Sequence, residues 1–556
     1  MNKILDENYY DLIINNRFLP DTNNAAITEL NEKHSIFHVN VQNQTLCDLG
    51  THPYYSFPTL YTLSSEPSLG SSNISPVQNN PQLAYFGLGV IIGIVDTGID
   101  YSHPAFRFPD GTSRIISIWD QTIQDGSPPG GFTFGTEYTQ EKLNLALGSG
   151  DPYSIVPSTD TNGHGTGIAS IAAGSADIKH SFSGVVPEAQ LAVVKLKEAK
   201  QNLKTIFCIP DSALCYQETD LILGIRYLTS LADRFGRPLV ICIALSSSLS
   251  GHESLGATSS YINSLCQLPQ INISVAAGNE GNNHRHHYSM KTEMPFSDEF
   301  ELRISGADPF FSLEIWPDLQ ARLALEITAP NGETSPIIYP SFGMCLPHRF
   351  ILNPTVAWIN NILLEQENGT QLILIRFTDA VEGLWRIRVL NIDTNPFSYH
   401  SWLPNGSLIS NGTFFLESSP DTTITAPGNA DYALTASAYN HTNGSILISS
   451  SRGYTRFGHV KPTVAVPGYK LPCADLHSSY ASLTGTGAAA AHAAGAVAIV
   501  FEWAVTRGNY TLITGNDVNT LIMRGASRTS GELYPNPVWG YGKLDLYNLF
   551  QLLTFV

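Results

Sequence analysis

The chain is predicted to be an α/β protein: a parallel sheet with helices on both faces, preceded by a small α+β unit and interrupted by an inserted β-sandwich. Three observations carry that prediction. Continuous apolar runs alternate with helical stretches between about residues 89 and 283; the hydrophobic period then drops to two between about 286 and 415; and after Ala430 strand-then-helix order resumes. A length of 556 residues has room for several such units and for a large buried core.

Each element follows in order. Asp11–Asn15 and Ile36–Val41 are strand-like, and the polar stretch between them is compatible with a helix. Thr51–Pro81 is rich in Pro, Ser and Tyr and reads as a linker. Gly89–Val95 is an apolar run ending at Asp96, which suits a strand covered on both faces. Leu191–Leu196, Pro238–Leu245 and Ile271–Ala277 repeat it, with helices predicted over Ala213–Ala232 and Ser259–Leu268. This alternation implies parallel strands joined by right-handed crossovers. Beyond His286 no helix is predicted for some time. Phe311/Leu313/Ile315, Leu323/Leu325/Ile327 and Trp385/Ile387/Val389 alternate, and Pro330-Asn331-Gly332 supplies a turn. The expected divisions are 1–82 for the N-terminal unit and linker, 83–285 and 421–556 for the two parts of the α/β unit, and 286–420 for the sandwich.

Composition removes several function classes. With 30 Lys+Arg against 48 Asp+Glu, the net charge of −18 argues against nucleic acid as a partner, since phosphate binding needs clustered positive charge. An apolar fraction of 43% excludes an acidic disordered chain. No apolar run reaching about 18–20 residues is evident, so no transmembrane segment is expected. Met1–Asn8 combines one lysine with early acids and does not read as a signal peptide. The seven cysteines (47, 208, 215, 242, 266, 345 and 473) are odd in number and scattered, with no CxxC or Cys/His metal spacing. They read as free thiols of a reducing compartment.

The chemistry lies in separate segments read jointly. Val95-Asp96-Thr97-Gly98 follows a buried strand; Asn162-Gly163-His164-Gly165-Thr166 opens a small-residue helix; Leu483-Thr484-Gly485-Thr486-Gly487-Ala488 opens another. Ala276-Ala277-Gly278-Asn279 ends a strand between them. Acyl transfer needs a carboxylate to orient a histidine, a histidine to activate a hydroxyl, and donors for the oxyanion. In this order and setting the chain resembles the subtilisin-like serine proteases, the subtilases. Asp96 to Phe106, Trp119-Asp120-Gln121-Thr122 and Gly135-Thr136-Glu137-Tyr138-Thr139 are further similar to the Csp germination proteases of clostridial spores.

The resemblance implies a subtilisin-like fold with an N-terminal prodomain and an inserted jelly roll. It places Asp96 and His164 in the triad, Asn279 in the oxyanion hole, and Ser246, Ser247, Ser248 and Gly251 along the substrate-binding edge. The nucleophile position holds Gly487, which carries no attacking atom. Loss of a triad nucleophile typically costs about 10⁶-fold in turnover. Thr484, Thr486 and Ser482 are displaced from that register, and His492 falls on the following helix as a structural residue. His284, His286 and His287 lack a carboxylate pattern and read as a boundary loop, so no metal site is assigned. No cofactor is required, though subtilases often hold structural calcium.

The chain therefore looks most like the inactive, CspC-like branch: a pseudoprotease of the bacterial spore cortex or coat region. It would be made in the mother cell without a signal peptide and would keep its N-terminal unit attached. Its implied partners are other Csp proteases, a cortex hydrolase precursor and a small-molecule germinant. The alternatives are a serine endopeptidase that activates such a precursor, its nucleophile removed artificially, and a decoy that holds a substrate segment uncut.

Overall fold

β-rich and strand–helix segments fold into separate layers, as their periods require. The computed structural model describes residues 2–19, 26–41, 44–67, 85–393 and 395–554. An eight-stranded sheet forms the centre, in the order Val464–Pro467, Leu434–Tyr439, Ile271–Ala276, Leu239–Ile243, Ile91–Asp96, Gln190–Lys195, Ile115–Asp120, Thr136–Thr139. Alternate residues of Ile91–Asp96 face opposite layers. Ile92 and Ile94 pack with Ile168, Ala172, Ala490 and Val497 on one side. Ile91 and Val95 pack with Leu221, Leu228 and Ile262 on the other.

All pairings are parallel except the last, where Ile115–Asp120 meets Thr136–Thr139 antiparallel. A loop joins those two strands, and without a crossover helix the chain returns along the edge. The small-residue helix expected to open after Leu483 runs over Thr486–Thr506, 21 residues, and by length and composition alone is apolar enough to span a bilayer. Here it is buried and forms the core under the sheet.

The N-terminal sheet has the order Tyr9–Asn15, His34–Asn40, Ile27–Glu29. Part of the stretch read as helix is thus a strand; its residues 20–25 lie outside the described residues. This sheet docks through buried ion pairing. Lys200 Nζ meets Asp11 Oδ2 at 2.8 Å and donates to the carbonyls of Lys3 and Tyr9. His38 Nδ1 lies 2.7 Å from Asp11 Oδ1.

The inserted strands form two antiparallel sheets, of six and four strands, closed over one core containing Phe311, Leu325, Phe377, Trp385 and Ile387. The outer face of the larger sheet is also covered. Trp316, Leu372, Leu374 and Trp402 pack with Tyr10, Leu12, Phe57 and Phe207, and Glu314 accepts from Tyr54 Oη at 2.6 Å. Arg376 clasps the same junction, donating to the carbonyls of Leu46 and Ile206 and to Asn360 Oδ1.

Cysteine pairing departs from the sequence reading. Cys47 and Cys345 form a disulfide that joins the N-terminal segment to the sandwich, with Cα atoms 5.3 Å apart. They lie 298 residues apart in the chain, so spacing carried no signal of the pair. Cys208, Cys215, Cys242, Cys266 and Cys473 are free and buried.

Candidate active site

The carboxyl end of the central sheet gathers the segments singled out by sequence. Asp96 closes the strand Ile91–Asp96, fully buried, and its Oδ1 accepts from Thr97 N at 2.7 Å. His164 opens the helix His164–Ala173, with Nδ1 2.8 Å from Asp96 Oδ1. A carboxylate only accepts, so Nδ1 carries the proton and Nε2 faces the cleft as the basic nitrogen. Gly163 turns the chain into this helix at φ +89°, a conformation glycine adopts without a Cβ penalty.

Asp160 anchors that turn. Its Oδ1 accepts from Asn162 N, Gly163 N and Thr97 Oγ1, while Oδ2 accepts from Thr166 N and Thr166 Oγ1. Thr97 Oγ1 in turn accepts from Gly165 N at 2.9 Å, tying the strand end to the helix start. Sequence reasoning passed over Asp160, although an Asp just ahead of a helix is a start signal.

The opposite wall supplies donors. Asn279 Oδ1 accepts from Thr486 N and Thr486 Oγ1, both at 3.1 Å, which leaves its Nδ2 free to point into the cleft. Gly487 N belongs to the first turn of Thr486–Phe501, where helix N–H groups lack intrahelical partners. Both groups donate to one atom, the carbonyl oxygen of Ser64: Asn279 Nδ2 at 2.5 Å and Gly487 N at 3.0 Å.

The cleft is therefore filled by the chain itself. Leu60–Leu63 runs antiparallel between Tyr216–Gln217 and Leu245–Ser246, with Leu63 opposite Leu245 and Thr62 opposite Ser246. Ser64 N donates to Ala244 O at 2.9 Å, and Glu66–Pro67 then pairs with Leu483–Thr484. Ser65 Oγ lies 2.5 Å from His164 Nε2. Within the stretch expected as a linker, Tyr54–Ser56 is a 3-10 turn and Leu60–Leu63 and Glu66–Pro67 are short strands crossing the cleft; residues 68–84 lie outside the described residues.

Gly487 stands opposite this segment. A Cβ there would lie 3.1 Å from Ser64 O, from Ser65 Oγ and from Ala244 Cβ. The neighbouring hydroxyls point elsewhere. Thr486 Oγ1 bonds Asn279 Oδ1 and Gly278 N, and Thr484 Oγ1 accepts from Lys470 N. Ser482 is buried in the core wall.

Of the residues expected along the binding edge, Ser246 lines the space of about 520 Å³ that remains beside the crossing segment, also bordered by Leu63, Ser65, Asn279, Glu280 and Arg285. Ser247 instead bonds Ala426 through its backbone, and Ser248 N donates to Asn405 Oδ1. Gly251 faces a separate cavity with Tyr54, Tyr61, Glu253 and Trp316. His492 is buried mid-helix, and burial pushes its pKa down to about 4. His286 and His287 begin a strand, His286–Lys291, where a loop was expected; His284 precedes it and bonds Ser418 Oγ. Among the described residues no group of three His, Cys, Asp or Glu side chains is arranged to hold a metal ion.

Comparison with known proteins bears on the family and the fold. The model of the subtilase family matches residues 87–296 and 405–542. The chain belongs to the subtilase family. The unmatched stretch between those segments lies within the sandwich, so the subtilase core is continuous in space across the insert. This subtilase is similar to the C5a peptidase of Streptococcus pyogenes, 22% identical over 454 residues that cover 77% of this chain and 35% of that protein. The chain thus spans about a third of that relative's length. A shorter likeness, 31% over 126 residues, links 20% of it to 15% of the subtilisin-like protease SBT2.2 of Arabidopsis thaliana. Among solved structures it resembles the Clostridium perfringens CspB protease, with a TM-score of 0.77, 29% identity, and coverage of 87% of this chain and 96% of that one.

Proposed function

We infer that this subtilase is catalytically inactive toward other proteins and serves spore germination as a regulatory pseudoprotease that binds active Csp proteases, senses a germinant, or both. The observation that carries the reading is Gly487. The orienting acid, the base and the oxyanion donors are all in register, yet the position facing the bound carbonyl has no side chain. Likeness to the CspB protease over most of both chains supports the Csp assignment, and with it a place in the bacterial spore. A decoy reading needs an open cleft, whereas Leu60–Pro67 occupies this one.

Two measurements test the proposal. Purified protein mixed with unstructured peptides, or with a cortex hydrolase precursor, is expected to leave them uncut. Immobilised protein is expected to retain an active Csp protease. Peptide turnover that is saturable and lost in His164→Ala would overturn the catalytic half. Failure to bind any active Csp protease at micromolar concentration would overturn the partner half.

A further inference from the structure

We propose that the cleft retains one intramolecular reaction: self-cleavage of the Ser64–Ser65 bond, with the Ser65 hydroxyl as nucleophile. Ser65 Oγ sits 2.5 Å from His164 Nε2, and His164 Nδ1 is held by Asp96. The carbonyl oxygen of the bond to be cut accepts from Asn279 Nδ2 and Gly487 N at 2.5 and 3.0 Å. A side chain at residue 487 would need the space that Ser65 Oγ now borders, because its Cβ would come within 3.1 Å of that oxygen. The hydroxyl missing from the helix is thus supplied by the occupying segment, one residue beyond the reacting carbonyl. Attack closes a five-membered ring, so no partner must be captured from solution.

The step balances as an N-to-O acyl shift followed by hydrolysis. Ser65 Oγ bonds to the Ser64 carbonyl carbon while His164 Nε2 takes the hydroxyl proton. The carbonyl electron pair moves onto oxygen, held by the donors of Asn279 and Gly487. On collapse the bond to the Ser65 nitrogen breaks, and His164 returns the proton to that nitrogen. An ester now joins Ser64 to Ser65 Oγ. One water then hydrolyses it, leaving a Ser64 carboxylate, a free Ser65 amine and the restored hydroxyl. The proposal rests on the reading that residue 487 brings no nucleophile. The reaction is a single turnover, because Ser65 is set against its own preceding carbonyl: once that bond is cut, the residue is the amine terminus of fragment 65–556 and has no acyl group before it to attack.

The test uses the full-length protein held at neutral pH and analysed under reducing conditions, since Cys47–Cys345 ties the fragment to the body. Fragments 1–64 and 65–556 are expected, their masses summing to the intact chain plus one water. The rate should be independent of protein concentration, and hydroxylamine should accelerate the split by intercepting the ester. Ser65→Ala should stay whole while keeping the wild-type circular dichroism; Ser65→Thr and Ser65→Cys should still split. His164→Ala should slow the split about 10²-fold or more, and Asn279→Ala about 10²–10³-fold. A wild-type chain that stays whole in hydroxylamine, or a Ser65→Ala chain that splits equally fast, would overturn the inference. Either result leaves the proposed lack of activity toward other proteins untouched, and peptide turnover in trans would strike only the latter.

Discussion

Replacing Asp160 by alanine would remove the acceptor of five hydrogen bonds around the turn that presents His164. A lost helix cap costs about 1 kcal/mol, and each buried donor left unpaired about 1–3 kcal/mol. Partial rehydration of the turn offsets some of that, so Asp160→Ala is expected to lower stability by about 3 kcal/mol, read as a shift in the urea midpoint at unchanged slope. Gly487→Ser acts in the opposite sense. Its hydroxyl would enter beside Ser64 O after the segment yields by a few tenths of an ångström. In a Ser65→Ala background, the added serine should cut the chain between residues 64 and 65 during purification, as seen by intact mass; an uncut double variant would show that the cleft has lost its alignment. These residues were unequally legible. Asp96, His164, Asn279 and Gly487 stand in local patterns of glycine and small residues at strand ends and helix starts. Ser65 has no such pattern, because its position depends wholly on how a distant segment crosses the cleft.

Strands and helices were most readable where one element buries a whole apolar run. Ile91–Asp96, Leu239–Ile243 and Ile271–Ala276 lie within a few residues of their expected limits for that reason. The helix Glu218–Phe235 starts later than its composition suggested, because Tyr216–Gln217 is drawn into pairing with Leu60 and Tyr61. Two-residue pairings leave no periodicity, so the strands in the cleft were read as a linker. The sheet Tyr9–Asn15/His34–Asn40 delivers that segment, and its docking depends on the buried Lys200–Asp11 pair. Removing one partner of a buried pair leaves an uncompensated charge and costs about 3–5 kcal/mol. Lys200→Met should therefore loosen the N-terminal sheet before the rest unfolds. Limited proteolysis should then cut within residues 2–41 at concentrations that leave the wild type intact. Equal resistance of the two proteins would mean that apolar contacts alone hold the sheet in place.

The whole molecule is joined by a stack of rings between the subtilase core and the sandwich. His252 lies 3.9 Å from Trp402, centroid to centroid, and His286 and His400 flank the same indole at 4.9 and 5.0 Å. Burial, with smaller contributions from Arg456 on His252 and His400 and from the neighbouring histidines on His286 and His400, pushes His252 down to about 4, His286 to about 3, and His400 well below its ordinary range. These histidines stay neutral when folded, whereas in the unfolded chain they gain protons near pH 6.5. The unfolded state therefore binds more protons between 6.5 and the folded values, and stability falls as pH falls through that window. Glu314 opposes this. Burial raises its carboxyl to about 8, so its contribution is full below the unfolded value of 4.5 and is lost as pH rises through 8. Burial also pushes down His34, His52, His103, His287, His348 and His492 and pushes up Asp220, Glu253, Asp318, Glu365 and Glu367; the depressed histidines outnumber the raised carboxyls, so the net slope from pH 6.5 to 5 is downward with acid. At 1.36 kcal/mol per pH unit, each depressed histidine contributes about 2 kcal/mol across that interval. Thermal melts should show Tm dropping steeply there, before the bulk of the carboxylates titrate. His252→Gln should melt lower at pH 7 but with a slope shallower by one proton. A wild-type Tm flat between pH 6.5 and 5 would mean that the stack admits protons without opening, and that the junction between core and sandwich does not depend on neutral histidines.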